Sequence, residues 1–290
     1  MEKNRVVLVS IVSNSALIAF KVVAGILMGS VAVISEAIHS SIDLIASVVA
    51  YIAIAKADEP ADAGHPFGHG KFENISGFFE ALLIFFAAGI IVAEAIQKLL
   101  NLHSVVVSHY WDWGIGVMAI STIVNLVVSR TLFHSAKKHG SIAIEADAAH
   151  LGADVLTSLG VMAGLVAIRL THLVFLDPLI AIAVAGLIIR ASIDLTLRSI
   201  ADLADQKLPD HEIDAIEKII RTHPEITSYH KLRTRRSGSR REIDLHIQVD
   251  SSTSLRDAHD LCFKVENAVK EAFPGAYVTI HVEPQAEEAK

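Results

Sequence analysis

The feature that most limits what this chain can fold into is the grouping of its apolar residues. Six mostly apolar runs, at 6–28, 31–55, 75–99, 111–133, 142–171 and 178–197, each come close to or exceed the roughly 20 residues that an α-helix needs to cross a bilayer. Hydrocarbon offers no water to backbone amides, so such runs satisfy their hydrogen bonds internally, as helices. From about Asp202 onward the composition turns ordinary and charged. The shift divides the chain into a six-helix transmembrane domain at 1–205 and a C-terminal domain at 206–290.

Charge gives the membrane domain a direction. Lys3, Arg5, Lys56, Lys71, Arg130, Lys137 and Lys138 fall on one side of the alternating connections, whereas Lys98 and Arg169 are the sparse cations of the other. The positive-inside bias makes the rich side cytoplasmic, and an even number of spans then puts both termini in the cytosol. Tyr110, Trp111 and Trp113 sit together at one helix end, where amphipathic rings favour the interface. No early segment ends in a small-residue cleavage site, so the first run reads as a retained span of a multi-pass protein of the cell membrane. A single cysteine, Cys262, leaves no internal disulfide, and a net charge of −7 lacks the basic stripe of a nucleic-acid binder.

The C-terminal stretch predicts a small α+β domain: a helix at 211–222, strands at 227–235 and 241–250, a helix at 255–273 and a strand at 276–283. Ile243, Leu245, Ile247 and Val249 alternate with polar residues, as do Val278, Ile280 and Val282, so these two strands each offer one core face and one polar face. The order α-β-β-α-β makes a two-layer fold.

Ionisable residues in mid-bilayer are costly and usually mark a pathway. His39 and Asp43 in the second run, and His150 and Asp154 in the fifth, each form an i, i+4 pair stacked on one helix face. Counted from the cytoplasmic ends, all four lie roughly 15 to 20 Å deep. Two imidazoles and two carboxylates at matched depth suit a tetrahedral borderline cation such as Zn2+; the plainer reading is two separate polar caps. Glu36 and Asp147 stand one turn before the histidines, as auxiliary ligands, proton carriers or acceptors that orient an imidazole. Lys21 and Asn14 read as snorkelling groups or interhelical polar contacts. A second cluster, Asp62, His65 and His69, lies in the turn-rich loop DAGHPFGHGK, where a solvated polar loop is the alternative. A third lies on the polar strand faces: His246, His281 and Glu283, which His230 and His259 can join.

These residues resemble the cation diffusion facilitators, particularly their bacterial zinc and iron exporters. The likeness rests on HSSID, HPFGHGK, EADAAHLGADVLTS, the Asp177–Pro178 step and the histidine-bearing tail, and covers nearly the whole chain. It implies a homodimer of six-span protomers with metallochaperone-like cytoplasmic domains, exchanging a divalent metal for a proton across the inner membrane, with no prosthetic group. It implies that His39, Asp43, His150 and Asp154 form the transport site, that Asp62, His65 and His69 form a loop site, and that His230, His246, His259, His281 and Glu283 form a binuclear cytoplasmic site. Lys71 and Asp205 match an interlocking salt bridge at the dimer interface. His39 stands where many relatives carry Asp, and Glu283 where Asp is frequent. An imidazole in place of a carboxylate softens the first site, favouring Zn2+ or Cd2+ over Mn2+ and Mg2+, while Fe2+, Co2+ and Mn2+ are metals that can share it. Two rival readings are an intramembrane metalloenzyme, which lacks an HExxH or GxSxG arrangement, and a membrane-anchored metal sensor, which needs no ligands at bilayer depth.

Overall fold

The computed structural model describes residues 3–28, 31–100, 111–171, 173 and 175–285; Tyr110 and the side chains of Glu36, His39, Trp111, Trp113 and Arg169 lie outside the described set. The chain forms two compact units, residues 1–200 and 201–290.

The first unit holds six long helices: α1 (Lys3–Met28), α2 (Val31–Ala57), α3 (Lys71–Leu100), α4 (Trp111–His139), α5 (Ile142–Thr171) and α6 (Leu176–Leu203). Four of them, over Lys3–Leu27, Lys71–Leu100, Gly116–His139 and Leu176–Leu203, are long and apolar enough to cross a membrane by length and composition. The other two, α2 and α5, match them in length and carry Asp43, Asp147, His150 and Asp154 inside their spans. Val12, Ile26, Leu27, Phe86, Ile90 and Leu187 are exposed on the helix surfaces, which suits lipid and not water.

The helices pack through small residues. Ala81 of α3 lies with Ile142 and Ala146 of α5 and Leu195 of α6. A Cβ added to Gly77 would stand 3.3 Å from the Ile142 carbonyl oxygen, so the α3–α5 seam depends on a residue with none. Near the end of the unit where α1 starts, Val6, Val7, Ile54, Val128, Leu132, Ile144 and Leu151 form a continuous apolar plug among α1, α2, α4 and α5.

The second unit comprises α7 (Asp210–Arg221), β1 (Ser228–Ser237), β2 (Arg240–Val249), α8 (Leu255–Ala272) and β3 (Tyr277–Pro284). The sheet order is β1-β2-β3, with β1 antiparallel and β3 parallel to the central strand. Ile243, Leu245, Ile247 and Val249 face a core closed by Ile216 and Ile220 of α7 and Leu261, Val265 and Val269 of α8. The Ser254 hydroxyl caps α8 by accepting from the Asp257 N–H at 3.2 Å. Glu212 of α7 is buried between two guanidiniums, 2.6 Å from Arg236 and 2.8 Å from Arg241.

Candidate metal sites

In the membrane unit, α2 and α5 bring Asp43, His150 and Asp154 together, one ligand atom from each lying within 4.8 Å of the others. His150 Nε2 stands 2.9 Å from Asp43 Oδ1. An ionised carboxylate only accepts, so toward one the imidazole donates from Nε2. The His39 ring, read as the fourth ligand, lies outside the described residues.

The trio borders a cavity of about 490 Å3. Its described walls run from Ile84 to Glu94 on α3, from Met118 to Asn125 on α4 and from His150 to Val161 on α5, with Lys21, Ser40 and Asp43 from α1 and α2. On α1, α2 and α4 these residues lie toward the end where α1 stops and α2 and α4 start, so the cavity extends from the ligands away from the apolar plug. Lys21 does not snorkel: it is 3% exposed, and its ammonium donates to the Ser40 hydroxyl at 2.7 Å. Asn14 is an interhelical contact, donating to Ser47 at 3.3 Å.

Asp147 is buried in a hydroxyl chain to α2 and α1, where Ser47 donates to its Oδ1 at 2.7 Å and Ser10 bonds Ser47 at 3.2 Å. Glu80 of α3 is a buried carboxylate that the sequence reading passed over, with both oxygens lacking a hydrogen-bond partner. The signal was available: Glu80 is an acid inside an apolar span, the criterion that singled out Asp43.

In the loop between α2 and α3, the Asp62 Oδ1 accepts the backbone N–H groups of Gly64 and His65 at 2.8 and 2.6 Å, an Asx turn that folds the following residues back. These bonds, chiefly that from His65, hold the Asp62 carboxyl below its ordinary pKa. Gly68 has φ +83°, the left-handed region that glycine enters at little cost. The turn sets His65 Nδ1 at 3.5 Å and His69 Nε2 at 3.4 Å from the Asp62 carboxylate, with the two rings 4.4 Å apart. Both ring nitrogens of His69 are buried without a hydrogen-bond partner, and a cation at the loop would serve one of them.

In the second unit, strand register builds the cluster. His230 pairs with His246 across β1 and β2, and His246 with His281 across β2 and β3, so three imidazoles form one row on the polar face. Glu283, two residues beyond His281, shares that face and places its carboxylate 2.7 Å from His246 Nδ1 and 3.2 Å from His230 Nε2. The hydrogen bond from His246 keeps the Glu283 carboxyl below its usual range. His230, His246 and Glu283 have ligand atoms within 4.8 Å of one another. The His281 ring lies 4.6 Å from that of His246 and its Nε2 3.7 Å from Glu283. His259 stands apart, exposed on α8 with its ring against Phe263. Lys71 opens α3, and Asp205 accepts from Arg235 at 3.2 Å.

Residues 7–204 match the cation efflux transmembrane domain family, and residues 208–285 match the cation efflux protein cytoplasmic domain family. The chain belongs to the cation diffusion facilitator family. It is 35% identical over 276 residues to an uncharacterized transporter of Synechocystis sp., covering 95% of this chain and 88% of that one. With the cation-efflux pump FieF of Pectobacterium carotovorum it shares 31% identity over 284 residues, covering 97% of this chain and 93% of the pump. An uncharacterized transporter of Methanocaldococcus jannaschii is 29% identical over 283 residues, covering 97% and 99%. As a cation diffusion facilitator the chain is a multi-pass membrane transporter for cation efflux, with a helical membrane domain and an α+β cytoplasmic domain.

Proposed function

We propose that the chain exports a divalent transition-metal ion, Zn2+ by preference, from the cytoplasm in exchange for protons, through a site formed by Asp43, His150, Asp154 and His39. The observation that carries this reading is the convergence of Asp43, His150 and Asp154 on the wall of a cavity inside the membrane unit. Imidazole nitrogen and carboxylate oxygen together suit Zn2+ and Cd2+, with Fe2+, Co2+ and Mn2+ held less well. The His150–Asp43 hydrogen bond supports the exchange. A metal that takes the Nε2 lone pair displaces the proton held there, and a proton that returns to Nε2 releases the metal.

The cavity and the plug support a direction for this transport. With the termini in the cytosol, as the positive charges indicate, the plug closes the cytoplasmic end and the cavity leads outward, the arrangement for release. The loop and sheet clusters fit further cation sites: Asp62, His65 and His69 at the first, and His230, His246, His281 and Glu283 at the second, in a protein of the cell inner membrane that works as a homodimer. His259, exposed on α8, belongs to the second site in this reading, and its exposure leaves it open to a subunit contact.

The test is flux into liposomes holding a zinc dye, under an imposed pH gradient, for the parent and Asp154→Ala, with Cd2+, Fe2+ and Mn2+ alongside. Zinc flux that needs Asp154 and scales with the gradient supports the reading. Flux untouched by the substitution removes the site from the pathway, and flux indifferent to the gradient removes the proton.

A further inference from the structure

Toward its C-terminal end, α4 exposes Arg130, His134, Lys137 and Lys138. At about 100° per residue the four fall within one arc of roughly 100° around the helix. Ile120, Ile123 and Val127, all exposed, occupy the same arc farther along α4. The buried side of the helix carries Val128, Leu132 and Ala136 of the apolar plug. A face that meets lipid tails over one part of its length meets headgroups over the next. From Arg130 to Lys138 the row runs roughly 12 Å along the axis, and the flexible stem of Arg130 lets its guanidinium reach toward the headgroup layer.

Two general roles of such cations leave much of the row unexplained. Complementing the helix dipole concerns the last turn, where Lys137 and Lys138 stand, and not Arg130 or His134. The positive-inside bias asks for a number of cations and says nothing of their partners. Elsewhere in the membrane unit Lys3 lies 2.9 Å from Glu73 and Lys56 lies 2.6 Å from Glu59. Among the described residues, none of the four side chains on α4 pairs with an acid.

We propose that this face of α4 binds an anionic phospholipid, its phosphate held by Arg130, Lys137 and Lys138 with a ring N–H from His134, and its tails lying along Val127, Ile123 and Ile120. Charge and apolar surface in one continuous stripe select that occupant. A soluble anion has nothing to set against the apolar part, and a two-fold contact centred on the row would oppose like charges. A headgroup held there steadies, from outside, the helix that forms one wall of the plug. Each Lys or Arg within the headgroup potential is worth on the order of fivefold in preference for an anionic over a neutral lipid.

The experiment uses the full-length protein in micelles mixed with phosphatidylcholine and phosphatidylglycerol, with bound lipids counted by native mass spectrometry. The parent is expected to enrich phosphatidylglycerol tenfold or more at low salt and less as salt rises. Arg130→Gln is expected to lower the enrichment about fivefold, and Arg130→Gln with Lys137→Gln and Lys138→Gln to abolish it. Lys137→Arg with Lys138→Arg keeps it, and so does Lys56→Gln, which removes a paired cation of the same unit. Arg130→Gln changes one exposed side chain, so it decides the matter where the triple variant melts early. Enrichment equal to the parent's in Arg130→Gln overturns the proposal. A loss in Lys56→Gln as large as in Arg130→Gln overturns it too, since the preference would then belong to a diffuse field and not to this face. A triple variant that dissociates into monomers where the parent is dimeric assigns the row to a second copy of the chain and rejects the lipid.

Discussion

At the end of the membrane unit that the plug closes, Lys3 of α1 places its ammonium 2.9 Å from Glu73 of α3, and Glu73 is 1% exposed. The second carboxylate oxygen of Glu73 accepts from the Ser141 hydroxyl, and Ser141 leads into α5, its carbonyl accepting the Glu145 N–H at 3.1 Å. One ion pair thus ties three helices at the edge of the plug. Removing one partner of a fully buried pair costs about 3–5 kcal/mol because the other charge is stranded. Lys3 is 15% exposed and also lies 3.4 Å from Asp58, so screening reduces the loss to about 2 kcal/mol, or roughly thirtyfold in the opening equilibrium of this end. Lys3→Met is therefore expected to raise amide hydrogen exchange across residues 141–151 about thirtyfold, measured by mass spectrometry on purified protein, while the C-terminal unit exchanges as before. Lys3→Arg restores the parental rate. Exchange of 141–151 in Lys3→Met within twofold of the parent refutes the reasoning, since the plug would then hold without the pair.

Other expectations follow from the two units. Glu212→Gln strands Arg236 and Arg241 and is expected to destabilise the cytoplasmic unit by about 2 kcal/mol, read by urea unfolding. The Glu212 carboxyl is pulled below its usual pKa, against the burial that opposes this, by the hydrogen bond from Arg241 and the charge of Arg236. Its stabilising contribution is accordingly present above the unfolded value near 4.3 and lost as pH falls through the depressed one. His246→Ala is expected to let the Glu283 pKa rise toward the ordinary carboxylate value, followed by carbon-13 NMR, and to abolish zinc binding at the sheet row. Gly164→Ala puts a Cβ 2.5 Å from Asp177 Oδ1 and 3.2 Å from its Cα, so the carboxylate must turn away and the α6 backbone must give slightly; a loss of about 1–3 kcal/mol, seen as a lower melting temperature, is expected.

The sequence shows the helices through one property, apolar length, and that property measures the lipid slab instead of the helix. Accordingly α4 continues past the apolar run to His139 and α6 to Leu203, both into polar segments, while α3 begins at Lys71 on the loop turn. The i, i+4 rule identified the His–carboxylate pairs because both members of a pair sit on one helix. No local pattern says which helix faces which, so the carboxylate pairs Lys3–Glu73 and Ser47–Asp147 were beyond reach. In the sheet, alternation assigned His246 and His281 to a polar face, yet their alignment with His230 is a matter of register, which a bulge between His230 and Arg233 further shifts. The position of His259 was readable: Ala258, Leu261, Val265 and Val269 mark the buried stripe of α8, and residue 259 falls off it.

The three clusters share their chemistry and differ in what surrounds it, which argues for different tasks. At the loop, Asp62 and His65 are exposed and only His69 is buried, and at the sheet row the residues are half-buried, so an ion bound there would keep water in its shell and exchange with solvent. Asp43 is buried inside the helical unit, and an ion beside it loses nearly all of its water to protein ligands. Only at that depth does occupancy change a charge imbalance that the surrounding low dielectric makes expensive. A site that is to drive helix movement needs that energetic contrast between empty and filled. Solvated clusters cannot supply it, because water compensates them in either state. On the proposed transport reading, the cavity wall of α2 and α5 is therefore where metal occupancy would set the state of the membrane unit, and the loop and sheet clusters would suit sensing or assembly.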